Sequence, residues 1–480
     1  MKSRAACMCG VLAIFAVVVA GARGLRAQAD DATQKMALDI FKQLIEINTT
    51  DSVGSTTIAA NAMAKRLRDA GFPASDVQVL GPNDRKGNMV ARLHGSGARK
   101  PVLFIGHLDV VEARRSDWTT DPFQFIEKGG FYYGRGTNDM KSEDAIMVTT
   151  FIRLKKEGYK PDRDLILALT ADEEGGKYNG VDWLLKNHRN LIDAEFVVNP
   201  DGGGVTLENG KAVIFSLDAT EKLYADFQLE VTNPGGHSSL PKPDNAIYQL
   251  AEGLTRIEHY QFPFELNPVT RAFFEQTAAQ QTGQSADDML AILKDPPDAE
   301  DIARLSQDPY FNATMRTTCV ATRLDAGHAN NALPETAKAI VNCRILPGHS
   351  REEVRQTLVR VLDDPKITVR YMDNEGVLHD TAPNAVALPP VPLREDLMKP
   401  LEESVNKIWP GTPVVPTMAT GASDGVYTNA AGMPTYGVGA VAIELGDDRS
   451  HGKDERIPVK SYSDGVDFYY LLMKALAPPQ

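Results

Sequence analysis

The residues of this 480-residue chain that could do chemistry together are imidazoles and carboxylates set just beyond short apolar runs. Pro101-Val-Leu-Phe-Ile-Gly106 leads into His107 and Asp109, and Leu165-Ile-Leu-Ala-Leu-Thr170 leads into Glu173 and Glu174. Glu195-Phe-Val-Val-Asn199 leads into Asp201, the glycine-bent Gly134-Arg-Gly136 presents Asp139, and His451 stands in an acidic loop. Such nitrogen and oxygen donors suit a catalytic zinc pair, which needs protein ligands plus an open position for water or substrate. Taken singly, each residue has a plainer reading as a loop histidine, a turn-capping aspartate or a solvated carboxylate. Their recurrence at successive strand ends argues for one shared centre. Glu173 and Glu174 are adjacent and cannot point the same way, so one is expected to bind metal and the other to move a proton. Asp109, two residues beyond His107, is placed to hold the ring nitrogen opposite the metal.

Elements that could position these groups follow from periodicity. Val/Ile/Leu runs bounded by turn signals read as strands of a parallel sheet buried on both faces, whose ligands bind beyond the carboxyl ends. Helical spacing over 32–46, 58–70, 142–157 and 180–188 alternates with strands at 77–80, 88–93 and 195–199, the pattern of a sheet covered by helices. After about residue 215 the pattern changes. Strand 223–231, helix 245–257, a hairpin of 317–324 and 336–344, helix 351–362 and strand 367–371 spell a ferredoxin-like β-α-β-β-α-β unit. A polar, proline-punctuated helical stretch, about 259–312, interrupts it with no function assigned. A proline-rich linker at 383–392 returns to a helix at 397–408, a strand at 434–439 and a closing helix at 463–475. The expected organisation is a leader at 1–29, a first catalytic part at 30–217, a smaller domain at 218–385 and a second catalytic part at 386–480.

Composition bounds the function. With 42% hydrophobic and 24% charged residues the chain can bury a large core, and a net charge of -13 argues against a nucleic-acid surface. Lys2 and Arg4 precede a short apolar run that ends near Ala27-Gln-Ala29, which reads as a cleaved export signal and a periplasmic or secreted product. No later stretch is apolar enough to span a bilayer. Cys319 and Cys343 flank the hairpin and would lie nearly opposite each other; a disulfide and two packed thiols both fit.

Five motifs in order, Gly106-His-Leu-Asp109, Gly134-Arg-Gly-Thr-Asn-Asp-Met-Lys141, Thr170-Ala-Asp-Glu-Glu-Gly175, Asn233-Pro-Gly-Gly-His-Ser238 and Arg344-Ile-Leu-Pro-Gly348, together resemble the M20 metallopeptidases. That family includes carboxypeptidase G2, carnosinase, bacterial dipeptidases and aminoacylase, and the resemblance covers essentially the whole chain after the leader. It implies a zinc-exopeptidase α/β fold with an inserted lid and dimerisation domain. It further implies two zinc ions per subunit, with cobalt or manganese as substitutes. Asp139 would bridge them, His107 and Asp201 would complete one site, and Glu174 and His451 the other. Glu173 would be the general base, Asp109 the partner of His107, and the Asp139-Met140 peptide cis. His237 would enter the active site of a second subunit in a homodimer and steady the oxyanion, while Asn331, Arg344 and Ser423 would contact substrate. Ser142 stands where the family often has glycine, and Asn342 where it often has aspartate.

The expected activity is hydrolysis of dipeptides or short peptides by a metal-activated water; an aspartate at position 201 leans toward aminopeptidases and dipeptidases. The alternative with the same centre is an N-acyl amino-acid amidohydrolase. A non-catalytic binding module of this fold would be expected to have lost ligands, and all five are present with the base. Substrate side-chain preference, the end of the peptide attacked and the physiological metal are not encoded legibly.

Overall fold

The computed structural model describes residues 29–383 and 388–479. The expected leader lies outside these residues except for Ala29, which is buried and donates its amide to Asp467 at 2.5 Å. No helix among the described residues is long and apolar enough to cross a membrane.

The larger half is a ten-stranded mixed sheet with helices on both faces. At its centre Leu165–Thr170, Val102–His107, Phe196–Asn199 and Thr435–Gly437 run parallel, in that spatial order. Antiparallel strands extend both sides. The strand Val102–His107 is buried along its whole length, as its unbroken apolar run predicts. Helices Asp31–Ile45, Lys141–Lys156, Glu395–Ile408 and Val459–Leu476 pack over one face through Phe41, Phe151, Leu401 and Phe468. Helix Gly180–Asn187 covers the other through Val181 and Leu184.

Two strands on the far side had no clear signal. Val414–Ala419 contains Pro416, which reads as a strand breaker, yet the segment is an edge strand pairing only with Lys211–Glu221, where a missing amide costs little. Lys211–Glu221 itself carries the catalytic sheet past the 217/218 boundary expected for the lid.

The smaller half is a five-stranded antiparallel sheet ordered Thr318–Ala326, Thr336–Ile345, Leu223–Thr232, Thr368–Met372, Leu378–His379. Helices Ala246–His259 and Arg351–Leu362 bury Leu250, Ile257, Val354 and Leu358 against it. This is the ferredoxin-like order with one short strand added. Cys319 and Cys343 are directly paired across the first two strands and form a disulfide.

The helical stretch at 259–312 belongs to the lid by sequence but packs elsewhere. Phe273, Phe274, Met289 and Leu305 close a small core together with Val415 of the catalytic sheet, and Ile214 packs against it.

Candidate metal centre

The carboxyl ends of the central strands deliver the predicted donors to one place. His107 ends its strand, buried, and its Nε2 lies 3.0 Å from Asp139 Oδ1 and 3.9 Å from Asp201 Oδ1. The other oxygen of Asp139 lies 3.0 Å from Nε2 of His451, which is 2.9 Å from Glu174. Asp139 thus stands between two imidazoles, each with its own further carboxylate. Donor atoms of His107, Asp139 and Glu174 lie within 4.8 Å of one another, as do those of His107, Glu173 and Asp201. The Asp139–Met140 peptide is cis.

Asp109 stands beside the His107 ring and also organises the turn that follows the next strand. Its carboxylate oxygens accept the backbone amides of Glu173 (3.2 Å) and Glu174 (3.0 Å), so it sets the turn that aims both side chains. His107 Nδ1 meets the Asp109 backbone carbonyl at 3.0 Å, while the nearer carboxylate oxygen is 3.8 Å away.

Two buried groups to which the sequence assigned no role complete the frame. Glu455, wholly buried, accepts the amides of Gly136, Asn138 and Asp139 and pairs with Arg135 at 2.6 Å. Arg135 in turn donates to the carbonyl of Gly452, next to His451. Asp172, at φ 57°, forms an ion pair with the buried Lys86 and accepts the amide of Tyr178, fixing the start of the Glu173-Glu174 turn. The available signal was the spacing of Glu455 four residues after His451 and of Asp172 immediately before the pair.

The centre's electrostatics ask for a cation. His107 Nε2, Asp139 Oδ1 and Glu174 Oε1 are buried with no hydrogen-bond partner among the described residues, although two of them face each other at 3.0 Å. Unpartnered buried lone pairs are costly unless something satisfies them. Burial pushes Asp201 up to about 6, and burial and the neighbouring Asp201 charge hold the Glu173 carboxyl well above its usual range. Asp139 is opposed by burial but held well below the usual range by the two imidazoles. His451 is raised to about 10 by its hydrogen bonds to Asp139 and Glu174. Among the described residues no Lys or Arg lines the cavity of about 1220 Å³ into which Asp139, Glu173, Glu174, Asp201 and His451 open. Four carboxylates against one or two imidazoles, with no protein cation at hand, match the donor set of divalent metal.

Ser423 lines the same cavity, its hydroxyl donating to Glu221 at 2.9 Å. His237, Asn331 and Arg344 do not line it within one chain. His237 and Asn331 sit together on an exposed ribbon of the lid, where the Ser238 amide donates to the Asn331 carbonyl. Arg344 lies on the lid sheet, its guanidinium 4.8 Å over the Tyr224 ring.

A parallel-sheet half whose strand ends gather an imidazole–carboxylate metal site, joined to a ferredoxin-like lid, defines a two-part metallohydrolase. The chain belongs to peptidase family M20/M25/M40, whose sequence pattern matches residues 103–475. The chain is 28% identical over 386 residues to a probable carboxypeptidase S-like 2 of Dictyostelium discoideum, covering 78% of this chain and 71% of that one. It is 27% identical over 390 residues to the human N-fatty-acyl-amino acid synthase/hydrolase PM20D1, covering 78% and 74%. In fold it is similar to the M20 family metallo-carboxypeptidase Sso-CP2 of Sulfolobus solfataricus, with a TM-score of 0.68 at 18% identity over 93% of this chain and 99% of that one. Human carnosine dipeptidase 1 gives a TM-score of 0.65 at 14% identity over 93% and 97%.

Proposed function

We propose that this hydrolase is a dizinc exopeptidase that cleaves the amide bond of short peptides at a terminal residue. The observation that carries the reading is Asp139 standing 3.0 Å from both His107 and His451, with Asp201 and Glu174 beside the respective rings and Glu173 on the cavity side. Asp139 would be shared by the two ions, His107 and Asp201 would hold one, and His451 and Glu174 the other. Zinc supplies Lewis acidity there, polarising the amide carbonyl and acidifying water.

Glu173 takes the proton of the attacking water and returns it to the leaving nitrogen. Asp109 keeps Glu173 aimed through its amide. The reading includes a homodimer in which His237 of one subunit reaches the centre of the other. The Ser239 amide donates to His237 Nδ1 at 3.2 Å, so the neutral ring carries its proton on Nε2, the donor an oxyanion requires. It also includes export by the amino-terminal leader.

A second reading, hydrolysis of N-acyl amino acids, uses the same centre. It is favoured by the apolar wall on one side of the cavity, built from Phe273, Tyr310 and Phe311, and by the PM20D1 relative. The test is a panel of dipeptides, tripeptides and N-acyl amino acids presented to the zinc-loaded protein, with metal content measured alongside. Release of a terminal amino acid from peptides supports the first reading, and hydrolysis confined to N-acyl amino acids supports the second. Cleavage of none of them overturns both.

A further inference from the structure

We propose that the helical stretch at 259–312, with the rest of the short helix Pro309–Met315 that ends it, forms an acyl-chain subsite of the cavity, a slot for an aliphatic group on the acyl side of the scissile amide. The proposal rests on the second reading of the function and gives the insertion its role.

The wall is built deliberately. Asn267 caps helix Pro268–Ala278 reciprocally with Thr270, and Asp308 caps helix Pro309–Met315 by accepting the amides of Tyr310 and Phe311. These caps fix where the three rings emerge. Phe273 lies with its ring centroid 5.8 Å from Tyr310 and 6.3 Å from Phe311, both in the spacing of stable aromatic pairs. Phe273 is buried, whereas Tyr310 is 43% exposed, so the cluster presents a face rather than closing on itself. Ile214 and Met418, on the paired strands Lys211–Glu221 and Val414–Ala419, continue that face across the catalytic sheet.

The face and the metal-type centre line one cavity. At about 1220 Å³ it exceeds the usual range of small-molecule pockets and the needs of a dipeptide. Among the described residues its lining carries no Lys or Arg to pair with an amino acid's α-carboxylate, and Glu208, Asp218, Glu221 and Asp448 stand in it beside the centre's own carboxylates, so the part of the substrate that lies along the ring face is not an anion. An acyl chain meets that description. Its methylenes gain from leaving water and ask for no hydrogen bonds.

Binding of the product class tests this apart from catalysis. Straight-chain alkanoates from acetate to dodecanoate are titrated calorimetrically into the zinc-loaded protein, and into Phe311→Ala and Tyr310→Ala carrying the same zinc. Affinity should rise about two- to fourfold per added methylene until the wall ends. The rise should be shallower in the variants; Tyr310 is exposed enough that its truncation spares the fold. Affinity independent of chain length in the wild type, or a rise unchanged in both variants, overturns the subsite. The hydrolysis panel is read separately. Length-dependent binding without cleavage of any amide condemns the catalytic reading and leaves the subsite standing, and cleavage without length-dependent binding does the reverse.

Discussion

Arg135 and Glu455 form a buried ion pair at 2.6 Å that joins the loop presenting Asp139 to the loop presenting His451. Glu455 holds the first loop by three backbone amides, and Arg135 reaches the second at the Gly452 carbonyl. The 3.0 Å spacing of Asp139 and His451 is therefore set by a pair that itself touches neither side chain. Removing one partner leaves a buried charge alone, which costs about 3–5 kcal/mol. Glu455→Ala should lower stability by that order in chemical denaturation. It should also lose metal from the His451 side first, read as a zinc stoichiometry falling from near two toward one.

Base and ligand should separate in the adjacent pair. Glu173→Ala should keep its metal and fold yet lose turnover by about 100- to 10,000-fold, since proton transfer alone is removed. Glu174→Ala should instead release metal, measured by equilibrium dialysis. Exchange of these two phenotypes would exchange the roles.

Two inactive variants should restore each other if His237 acts across a dimer. Mixing His237→Ala with Glu173→Ala under conditions of subunit exchange makes heterodimers with one site holding both an intact base and an intact partner histidine. Activity should return toward half of wild type per heterodimer. Demonstrated exchange with no recovery, or an active monomer in sedimentation, removes the trans arrangement.

The lid should be acid-sensitive through Glu352. Its carboxylate accepts from Arg355, from the Ala382 amide at 2.7 Å and from Gln356, tying the lid helix to the chain leaving the lid. Hydrogen bonds from Arg355, outweighing burial, hold it at about 2 against an ordinary 4.5. A carboxyl lowered in the folded state stabilises above its unfolded pKa, and that contribution drains away as protons bind the unfolded chain first. Stability should fall between about pH 4.5 and 2, and Glu352→Gln should flatten this part of the profile followed by circular dichroism.

Reduction should loosen the same domain. The Cys319–Cys343 bond closes a loop across a sequence separation of 24 residues, a length for which losing the cross-link costs about 3 kcal/mol. Cys319→Ser should lower the lid's denaturation midpoint while leaving zinc binding intact.

Most of the centre was readable from sequence because His107, Glu174 and Asp201 follow uninterrupted apolar strands and Asp139 a glycine turn, while His451, in an acidic loop, was named through the family resemblance. Five ligand candidates and Glu173 indeed come together. What escaped was whatever depends on distant pairing. Pro416 hid an edge strand because a single residue type does not reveal which amides face solvent. The bonds from the Glu173 and Glu174 amides to Asp109 also join segments more than 60 residues apart, which local spacing cannot show. Glu455 lies far along the chain from Arg135, so no pattern around either residue announces the pair. The insertion was legible as helices but not as a neighbour of Val415.

That neighbour relation makes the insertion a latch. The chain leaves the catalytic half at Glu221 and Lys222, comes back to it with Phe274 against Val415, departs again after Met315, and returns where the Val391 amide meets the Ala219 carbonyl. An inserted domain needs only the first and last of these passages. The middle visit clips the lid's own chain to the edge strand of the other half, so trimming the helices away would not shorten a loop. It would bare the apolar side chains of Ile214 and Val415, and the shortened protein should be prone to sticking to its own copies through that surface.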